Sequence, residues 1–394
     1  MRHLCVQDIA SVFHGGTPQK KTAEYWIGDI PWVSPKDMKT DRLSDTADHI
    51  SKKALDNSAT RLMPTDSIFA VARSGVLAHS FPVALIDKPM AFNQDIKALV
   101  PNRELVLPEY LFYFLRYREH EIVSRGVKKG ATVHSLQSAY LENLEVPLPQ
   151  LQDQQVIVDI LKRADGIRHL RNQAQDTIRQ LIPALFVDMF GDPATNSKGW
   201  LVTAVGEVIE SADYGSSMKA SEDGSGMPLI RMGNVDYSGR LDLTELKYVQ
   251  LPDDQIAKYR LSEGDLLFNR TNSKDLVGKT GFWSGSTEAV AASYFIRVRV
   301  DRSVLNPFYL WAFLNSGHMK RVLFETARGA IGQSNINAKE LRAFRLPLPP
   351  VNLQEGFEQR CRDVLALEVQ GKAAASKNES VFQALLHSAF TSNR

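Results

Sequence analysis

The sequence predicts a mixed α/β (α+β) fold: two globular modules in pseudo-twofold arrangement, joined by two long antiparallel helices of coiled-coil character. Three observations carry this. The chain matches itself at an offset of 199 or 200 residues. Each copy opens with short β-rich runs punctuated by Gly, Asn, Asp and Pro. Each copy closes with "VPLPQLQDQQ" (146–155) or "LPLPPVNLQE" (346–355), followed by a long stretch of helical periodicity.

The repeat spans nearly the whole chain. At an offset of 199, Gly16 and Lys20 fall on Gly215 and Lys219, Asp66 on Asp265, Pro108 on Pro307, and Gly130-Ala131 on Gly329-Ala330. At 200, Pro147-Leu148-Pro149 falls on Pro347-Leu348-Pro349, and "PALFVDMF" (183–190) on "QALLHSAF" (383–390). Two copies are too few for a solenoid and suit one module duplicated and fused. The expected organisation is a module over 1–150, a central helix over 151–191, a second module over 192–350 and a C-terminal helix over 351–394.

Within each module, "SIFAVA", "PVALI", "DLLFNR" and "YFIRVRV" read as strands. Pro108 and Pro307 read as helix starts, because Pro suits the first helical turn. Pro-Leu-Pro cannot continue a helix or a central strand, so it makes a stiff exit from each module. From 157 the central stretch places Ile157, Ile160, Ala164, Ile167, Arg171, Ala174, Ile178, Leu181 and Leu185 at alternating spacings of 3 and 4, a coiled-coil pattern. The second copy offers Phe357, Cys361, Val364, Glu368, Gly371, Ala375, Asn378, Phe382, Leu385 and Ala389. Gly371 costs about 1 kcal/mol against Ala, so this helix needs tertiary packing. Pro183 is expected to kink or end the central helix. Each helix needs a cover for its stripe, and the other helix is the simplest one. Some 35 residues make a helix of about 50 Å, a ruler suited to two DNA half-sites spaced about one turn, ~34 Å, apart.

Composition narrows the function. The 394 residues are 43% hydrophobic and 23% charged, as in soluble globular proteins, and exceed one ordinary core. No apolar run approaches the roughly 18 residues of a membrane span. The start lacks a signal-peptide core. Cys5 and Cys361 are too few for a disulfide framework or a Cys-rich zinc site. A cytoplasmic location is expected. A net charge of +2 excludes a general polycation, so nucleic-acid binding needs local patches or a partner.

Catalytic motifs are weak. "NPFY" (306–309) resembles the target-amine loop of adenine methyltransferases, but its counterpart is "LPEY" and no Gly-rich cofactor loop precedes it. "VGKTG" (277–281) has Ser273 where a P-loop needs Gly. "PDD" (252–254) and "KDMK" (36–39) lie in different copies, and the nine His show no metal spacing. The expectation is a chain without catalysis or a metal site of its own. Polar loops are better represented. "SPKDMK", "ARSG", "NQD" and "KKGATVHS" in the first copy face "RMGNVD", "NRTNSK" and "ARGAIGQSN" in the second. Arg, Lys, Asn, Gln and Ser read base edges and phosphates. A matched scaffold with diverged polar tips is how one frame reads two sequences.

"IASVFHGGTPQKKTAEYWIGDIPWVSPKDM" (9–38), "GDLLFNRTNSKDLVGKTGFW" (264–283), the two Pro-Leu-Pro elements and "LFVDMFGDP" (185–193) resemble the DNA specificity (S) subunit of type I restriction–modification systems across essentially the whole chain. "VNLQEGF" departs slightly, with Gln354-Glu355 where the first copy has Gln154-Gln155. The resemblance implies two target recognition domains reading a bipartite, asymmetric double-stranded DNA sequence. One S chain per complex would direct two adenine-N6 methyltransferase (M) subunits and two restriction/translocase (R) subunits. S-adenosylmethionine would sit on M, and ATP and Mg on R, with no cofactor in this chain. It implies DNA contacts from Lys20, Lys36, Arg73, Ser74, Lys128, Lys129 and His134 in the first domain. In the second it implies Lys219, Arg231, Asn234, Arg270, Asn272, Ser273, Lys274, Gln333 and Ser334. Ile157, Ile160, Ile167, Ile178, Leu181, Leu185, Phe357, Val364, Phe382 and Leu385 are the expected spacer and subunit-interface positions. The rival readings are a specificity module of another DNA-modification or phage-defence methyltransferase complex, a non-DNA twofold scaffold, and a self-contained methyltransferase.

Overall fold

In the computed structural model the described residues are 2–221, 224–273, 275–330 and 333–391. The chain forms two compact units: residues 1–172 with 373–394, and residues 173–372. Each unit therefore holds one β-rich body and a part of each long helix.

In the first unit, a mostly antiparallel sheet runs Ala10–His14, Ile96–Pro101, Ile68–Val71, Val83–Ile86, Arg42–Leu43. Its middle strands are buried along their length, which is why Ile68–Val71 and Val83–Ile86 read as continuous apolar runs rather than alternating ones. A second sheet runs Asp48–Ile50, Ile30–Val33, Met90–Phe92, Leu62–Met63. Here Trp32 and Val33 lie parallel to Ala91 and Phe92. The second unit repeats both features. One sheet runs Ile209–Tyr214, Phe295–Val300, Leu266–Asn269, Thr280–Phe282, and in another Leu229 and Ile230 lie parallel to Val290 and Ala291.

The repeat is corrected in detail by these contacts. Gly16 N–H donates to the Phe92 carbonyl and Ser216 N–H to the Ala291 carbonyl, so Gly15, not Gly16, is the counterpart of Gly215. The reason is steric. A Cβ on Gly15 would lie 2.4 Å from the Phe92 and Asn93 carbonyl oxygens, and one on Gly215 would lie 2.3 Å from those of Ala291 and Ala292. Lys20 and Lys219 are consequently one place out of register.

The helices Pro108–Tyr117 and Pro307–Leu314 start at their prolines and are almost wholly buried. The central helix runs Leu151–Phe190 and the C-terminal helix Val351–Thr391. Pro183 does not end the first of these, which continues for seven residues beyond it. The Pro-Leu-Pro elements lie in two-stranded edge ribbons, where a missing N–H is tolerated: Arg2–Cys5 pairs with Glu145–Leu148, and Leu201–Ala204 with Arg345–Leu348.

The C-terminal helix buries the stripe its periodicity predicts, with Phe357, Cys361, Val364, Glu368 and Phe382 all withdrawn from water. The central helix does not. Ile160, Ile167 and Leu181 are 48%, 52% and 37% exposed, while Gln154, Val158, Leu161, Asp165, Ile182 and Phe186 are buried. Ile157, Ile178 and Leu185 pack at the edge of the buried face. Two stripes with the same 3–4 spacing, one position apart, run along this helix, and the buried one contains polar residues that hide it from an apolar count.

The junction of body and helix is built alike in both units. Gln154 Oε1 accepts from Leu107 N–H at 2.9 Å, and its Nε2 donates to the Leu105 and Pro149 carbonyls, both at 3.0 Å. Gln354 accepts from Asn306 N–H at 2.8 Å and donates to the Val304 and Pro349 carbonyls at 3.2 and 2.8 Å. Tyr110 and Tyr309 add hydroxyl donors to the Pro147 and Pro347 carbonyls at 2.7 and 2.6 Å. Gln354→Ala would remove the partner of the buried Asn306 N–H, of the buried Pro349 carbonyl and of the part-buried Val304 carbonyl. The expected cost is on the order of 3 kcal/mol, read as a lower urea midpoint for the second unit, with Gln154→Ala acting likewise on the first. A change below the ~0.5 kcal/mol usual for neutral surface substitutions would refute this role.

Candidate nucleic-acid interface

In the first unit the parallel pair ends with two loops side by side, Ser34–Asp37 and Asn93–Asp95, tied by Asn93 N–H to the Val33 carbonyl at 2.9 Å. Asp37 shapes the first loop: one carboxylate oxygen accepts from Ser34 N–H and Ser34 Oγ, both at 2.9 Å, and the other from Ala47 N–H at 3.2 Å. Asn93 shapes the second by accepting from Asp95 N–H at 2.9 Å. Lys36 and Gln94 are left exposed at the tips. Lys36 pairs with Asp48 at 2.7 Å, and this hydrogen bond raises the pKa of its ammonium.

A trough of about 600 Å³ lies between these loops, walled by Thr17, Lys20, Trp26, Lys36 and Gln94 over Trp32. Trp26 meets Trp32 edge to face at a centroid distance of 5.0 Å, and Trp32 Nε1 donates to the Gly16 carbonyl at 3.1 Å. A second trough of about 500 Å³ adjoins it through the shared Gln94 and Asp95, and is lined by Arg73, Ser74 and Val133. The Asp95 carbonyl accepts from the N–H groups of Ala72 and Arg73, which brings the strand Arg73–Ser74 to this rim. That strand pairs with His134 and Ser135, and Lys128 pairs with Ser135. Lys20, Lys36, Arg73 and Ser74 therefore line the joined troughs, and Lys128 and His134 lie on the small sheet beside them. Lys129 follows Lys128 as an exposed residue.

The second unit places different side chains on the same frame. Arg231 N–H donates to Asn234 Oδ1 at 3.0 Å, as Ser34 N–H does to Asp37. Asn234 is 7% exposed, and its Nδ2 donates to the Asp242 and Glu245 carbonyls, both at 3.0 Å. It holds the loop rather than offering an edge to a ligand. Arg270 stands where Ala72 stands in the first unit, since its N–H donates to the Tyr294 carbonyl as that of Ala72 does to Asp95. Its guanidinium lies over the Tyr214 ring at 4.8 Å. The Nε atoms of Arg270 and Arg231 are buried and make no hydrogen bond among the described residues. Asn272 pairs with Ser334 across two short strands, and Asn272 Oδ1 accepts from Ser273 N–H at 2.8 Å. Ser334 is 6% exposed and Lys219 lies on the surface. Gln333 belongs to the strand Gln333–Asn335 by its backbone, and Lys274 lies outside the described residues.

Thr17, Trp26, Trp32, Gln94, Tyr214 and Tyr294 belong to this surface and escaped selection by residue type. The loop "NQD" carries a polar signal, whereas aromatic residue type alone does not distinguish a surface ring from a core one. Among the described residues, one group with metal-ligand potential brings donor atoms of Asp41, Asp165 and His169 within 4.8 Å. Its carboxylates are engaged by arginines: Arg116 lies 2.8 Å from Asp41, and Arg168 lies 2.8 Å from Asp165. No described helix is long and apolar enough to cross a membrane.

Asn234→Ala would orphan the Arg231 N–H and two carbonyls, costing about 2 kcal/mol and raising hydrogen exchange across 231–246. Asn234→Asp, which imports the acceptor used by Asp37, should recover the Arg231 contact alone. Equal exchange in wild type and Asn234→Ala would contradict the loop-holding role.

The family model for the type I restriction modification DNA specificity domain matches residues 3–180 and again 197–357. The specificity subunit of the type I restriction enzyme EcoR124I/EcoR124II of Escherichia coli is 38% identical over 161 residues, covering 41% of this chain and 40% of that subunit. The chain thus spans well under two thirds of that curated relative. The EcoKI specificity subunit of Escherichia coli K12 is 20% identical over 98% of this chain and 87% of its own. The S subunit of a type I restriction-modification system from M. genitalium has the same fold, with a TM-score of 0.58 and 13% identity over 100% of this chain and 96% of that one. With two copies of the family's domain covering most of its length, the chain belongs to the type I restriction modification DNA specificity domain family.

Proposed function

We propose that the chain reads a bipartite, asymmetric DNA sequence and directs partner subunits to it, each body reading one half. The observation that supports this best is the contrast between constant frame and changing tips. The loop-holding contact of Asp37 recurs with Asn234, and the carbonyl contact of Ala72 recurs with Arg270. The side chains displayed on that frame differ: Lys36, Arg73 and Gln94 in one unit, Arg231, Arg270 and Asn272 in the other.

The chemistry fits base-edge readout. Gln94 offers an amide edge suited to adenine, and Arg73, Arg231 and Arg270 offer the two-pronged donors that guanine accepts. The position of the Arg270 guanidinium over the Tyr214 ring favours a cation–π contact that limits its rotamers. Lys20, Lys36, Lys128 and Lys129 suit phosphates, which fix register without carrying sequence. The net charge of +2 limits the backbone contribution of the chain alone, so partner subunits supply part of the phosphate grip. Adenine-N6 methylation and ATP-dependent cleavage belong to those partners, methyltransferase subunits carrying S-adenosylmethionine and motor subunits carrying ATP and Mg. The helical segments set the unread gap.

Sequencing of N6-methyladenine in a methylation-free host expressing the chain with its neighbouring methyltransferase tests the reading. Two short motifs at a constant gap, with one adenine modified in each, are expected. Arg270→Ala should relax one position in one half only, with a loss of ~1–3 kcal/mol for the cognate base, while the other half stays unchanged. Lys36→Ala should weaken all sequences alike and lower the salt slope by about one. A soluble complex without methylation would overturn the proposal.

A further inference from the structure

The two units carry comparable electrostatic clusters in which the three central charges have reversed signs. In the first, Arg168 of the central helix stands between two acids: Asp41, at 3.5 Å, from the loop entering the strand Arg42–Leu43, and Glu379, at 3.3 Å, from the C-terminal helix. In the second, Glu368 of the C-terminal helix stands between two arginines: Arg240, at 2.8 Å, from the corresponding loop, and Arg179, at 3.7 Å, from the central helix. Positions 168 and 368, and 179 and 379, are counterparts at the offset that relates Gln154 to Gln354. An aromatic ring closes each cluster: Arg168 lies 4.9 Å over Phe382, and Arg240 lies 4.9 Å over Trp311. The central member is withdrawn from water in both, with Arg168 and Glu368 side chains 18% and 4% exposed. The first cluster also contains Arg116 and Asp165, where the second has Asn315 and Leu365.

We infer that these inverted charges are a pairing key, which makes the central helix accept the C-terminal helix and reject a second copy of itself. The apolar stripe cannot make that distinction. Ile182 and Phe382, Phe186 and Leu386, and Phe190 and Phe390 occupy counterpart positions and are apolar in both helices. A repeat of this kind is exposed to self-pairing, in which two chains exchange like helices. Central against central would set Arg168 on Arg179, and C-terminal against C-terminal would set Glu368 on Glu379. In each pairing a charge withdrawn from water, Arg168 or Glu368, would meet a half-exposed like charge, Arg179 or Glu379, which disfavours both as charged flanking positions do in coiled coils. The inference stands apart from any DNA reading, because none of these residues lines the troughs.

The full chain provides the test. Glu368→Arg alone sets three arginines together and should lower Tm by on the order of 10 °C. The triple variant Arg179→Glu, Arg240→Asp, Glu368→Arg rewrites the second cluster in the signs of the first and should regain most of that loss. It also gives each helix one Arg and one Glu at the key positions, so self-pairing becomes permitted. After unfolding in denaturant and refolding beside wild type, light scattering on a sizing column should find a dimer fraction several-fold larger in the triple variant. A Glu368→Arg protein melting within 2 °C of wild type, a triple variant no more stable than that single one, or a triple variant refolding to wild-type proportions of monomer would each overturn the key.

Discussion

The structure depends on the buried amide of Gln154 and its repeat, Gln354. Where an edge ribbon turns into a long helix, the chain must bury backbone groups that neither element can satisfy, because the proline there lacks an N–H and the first helical turn lacks partners. One glutamine supplies an acceptor and two donors at that point, two of its three bonds reaching the loop 105–107 that leads into the body helix and the third the Pro149 carbonyl. The body helix beginning at Pro108 or Pro307, the Pro-Leu-Pro strand and the long helix are thereby fixed as one joint. The tyrosine hydroxyl on the Pro147 or Pro347 carbonyl braces the same joint from the body side. The direction of each long helix leaving its body follows from this local chemistry, and aromatic packing then reinforces it. Phe190 meets Tyr309 at 4.8 Å in the second unit, and Phe390 meets Tyr110 at 5.2 Å in the first.

The same economy governs the troughs. A parallel strand pair delivers two loops to one edge of the molecule, and a glycine at the crossing lets a third segment pass over their carbonyls. Gly15 and Gly215 are needed because no Cβ fits at that crossing, whatever the neighbouring loops display. Backbone hydrogen bonds to Asp95 or Tyr294 then bring a short strand alongside. These constraints involve main-chain atoms and a few buried side chains, so they leave the exposed positions free to change.

Much of this was legible in sequence. The repeat, the helix-starting prolines, the two long helices and the polar loops follow from spacing and residue type alone. The failures have physical causes. Apolar counting favours Ile160 and Ile167 because the inward stripe of the central helix includes Gln154, Asp165 and the partly buried Arg168, whose partners include Leu107, Arg116 and Asp41, far away in sequence. The polar type of Asn234 suits a DNA contact and does not report where its amide points. Its burial and its two carbonyl partners are properties of the folded loop. Trp32 and Gln94 meet only through pairing between strands some sixty residues apart, which no local pattern reports. The constant offset also failed locally: bridging contacts align Ser34 with Arg231 and Gly15 with Gly215, so small insertions lie between them.

Charge burial separates the two kinds of polar residue in this chain. Arg168, Glu368 and Asp165 are withdrawn from water and each has an oppositely charged partner at hand. Removing one partner from such a pair leaves an uncompensated charge, which is costly, so these positions are bound to one another. Lys36, Gln94 and Lys219 sit at exposed tips, where a substitution costs little. A duplicated module under those two regimes keeps its joints in matched sets and lets its tips drift. Glu368 is intelligible only with Arg240 and Arg179, whereas Arg73 has no such obligation to Thr271 at the matching place. The pairwise inversion of signs at the joints and the unpaired divergence at the tips are thus two results of one rule, applied at different depths below the surface.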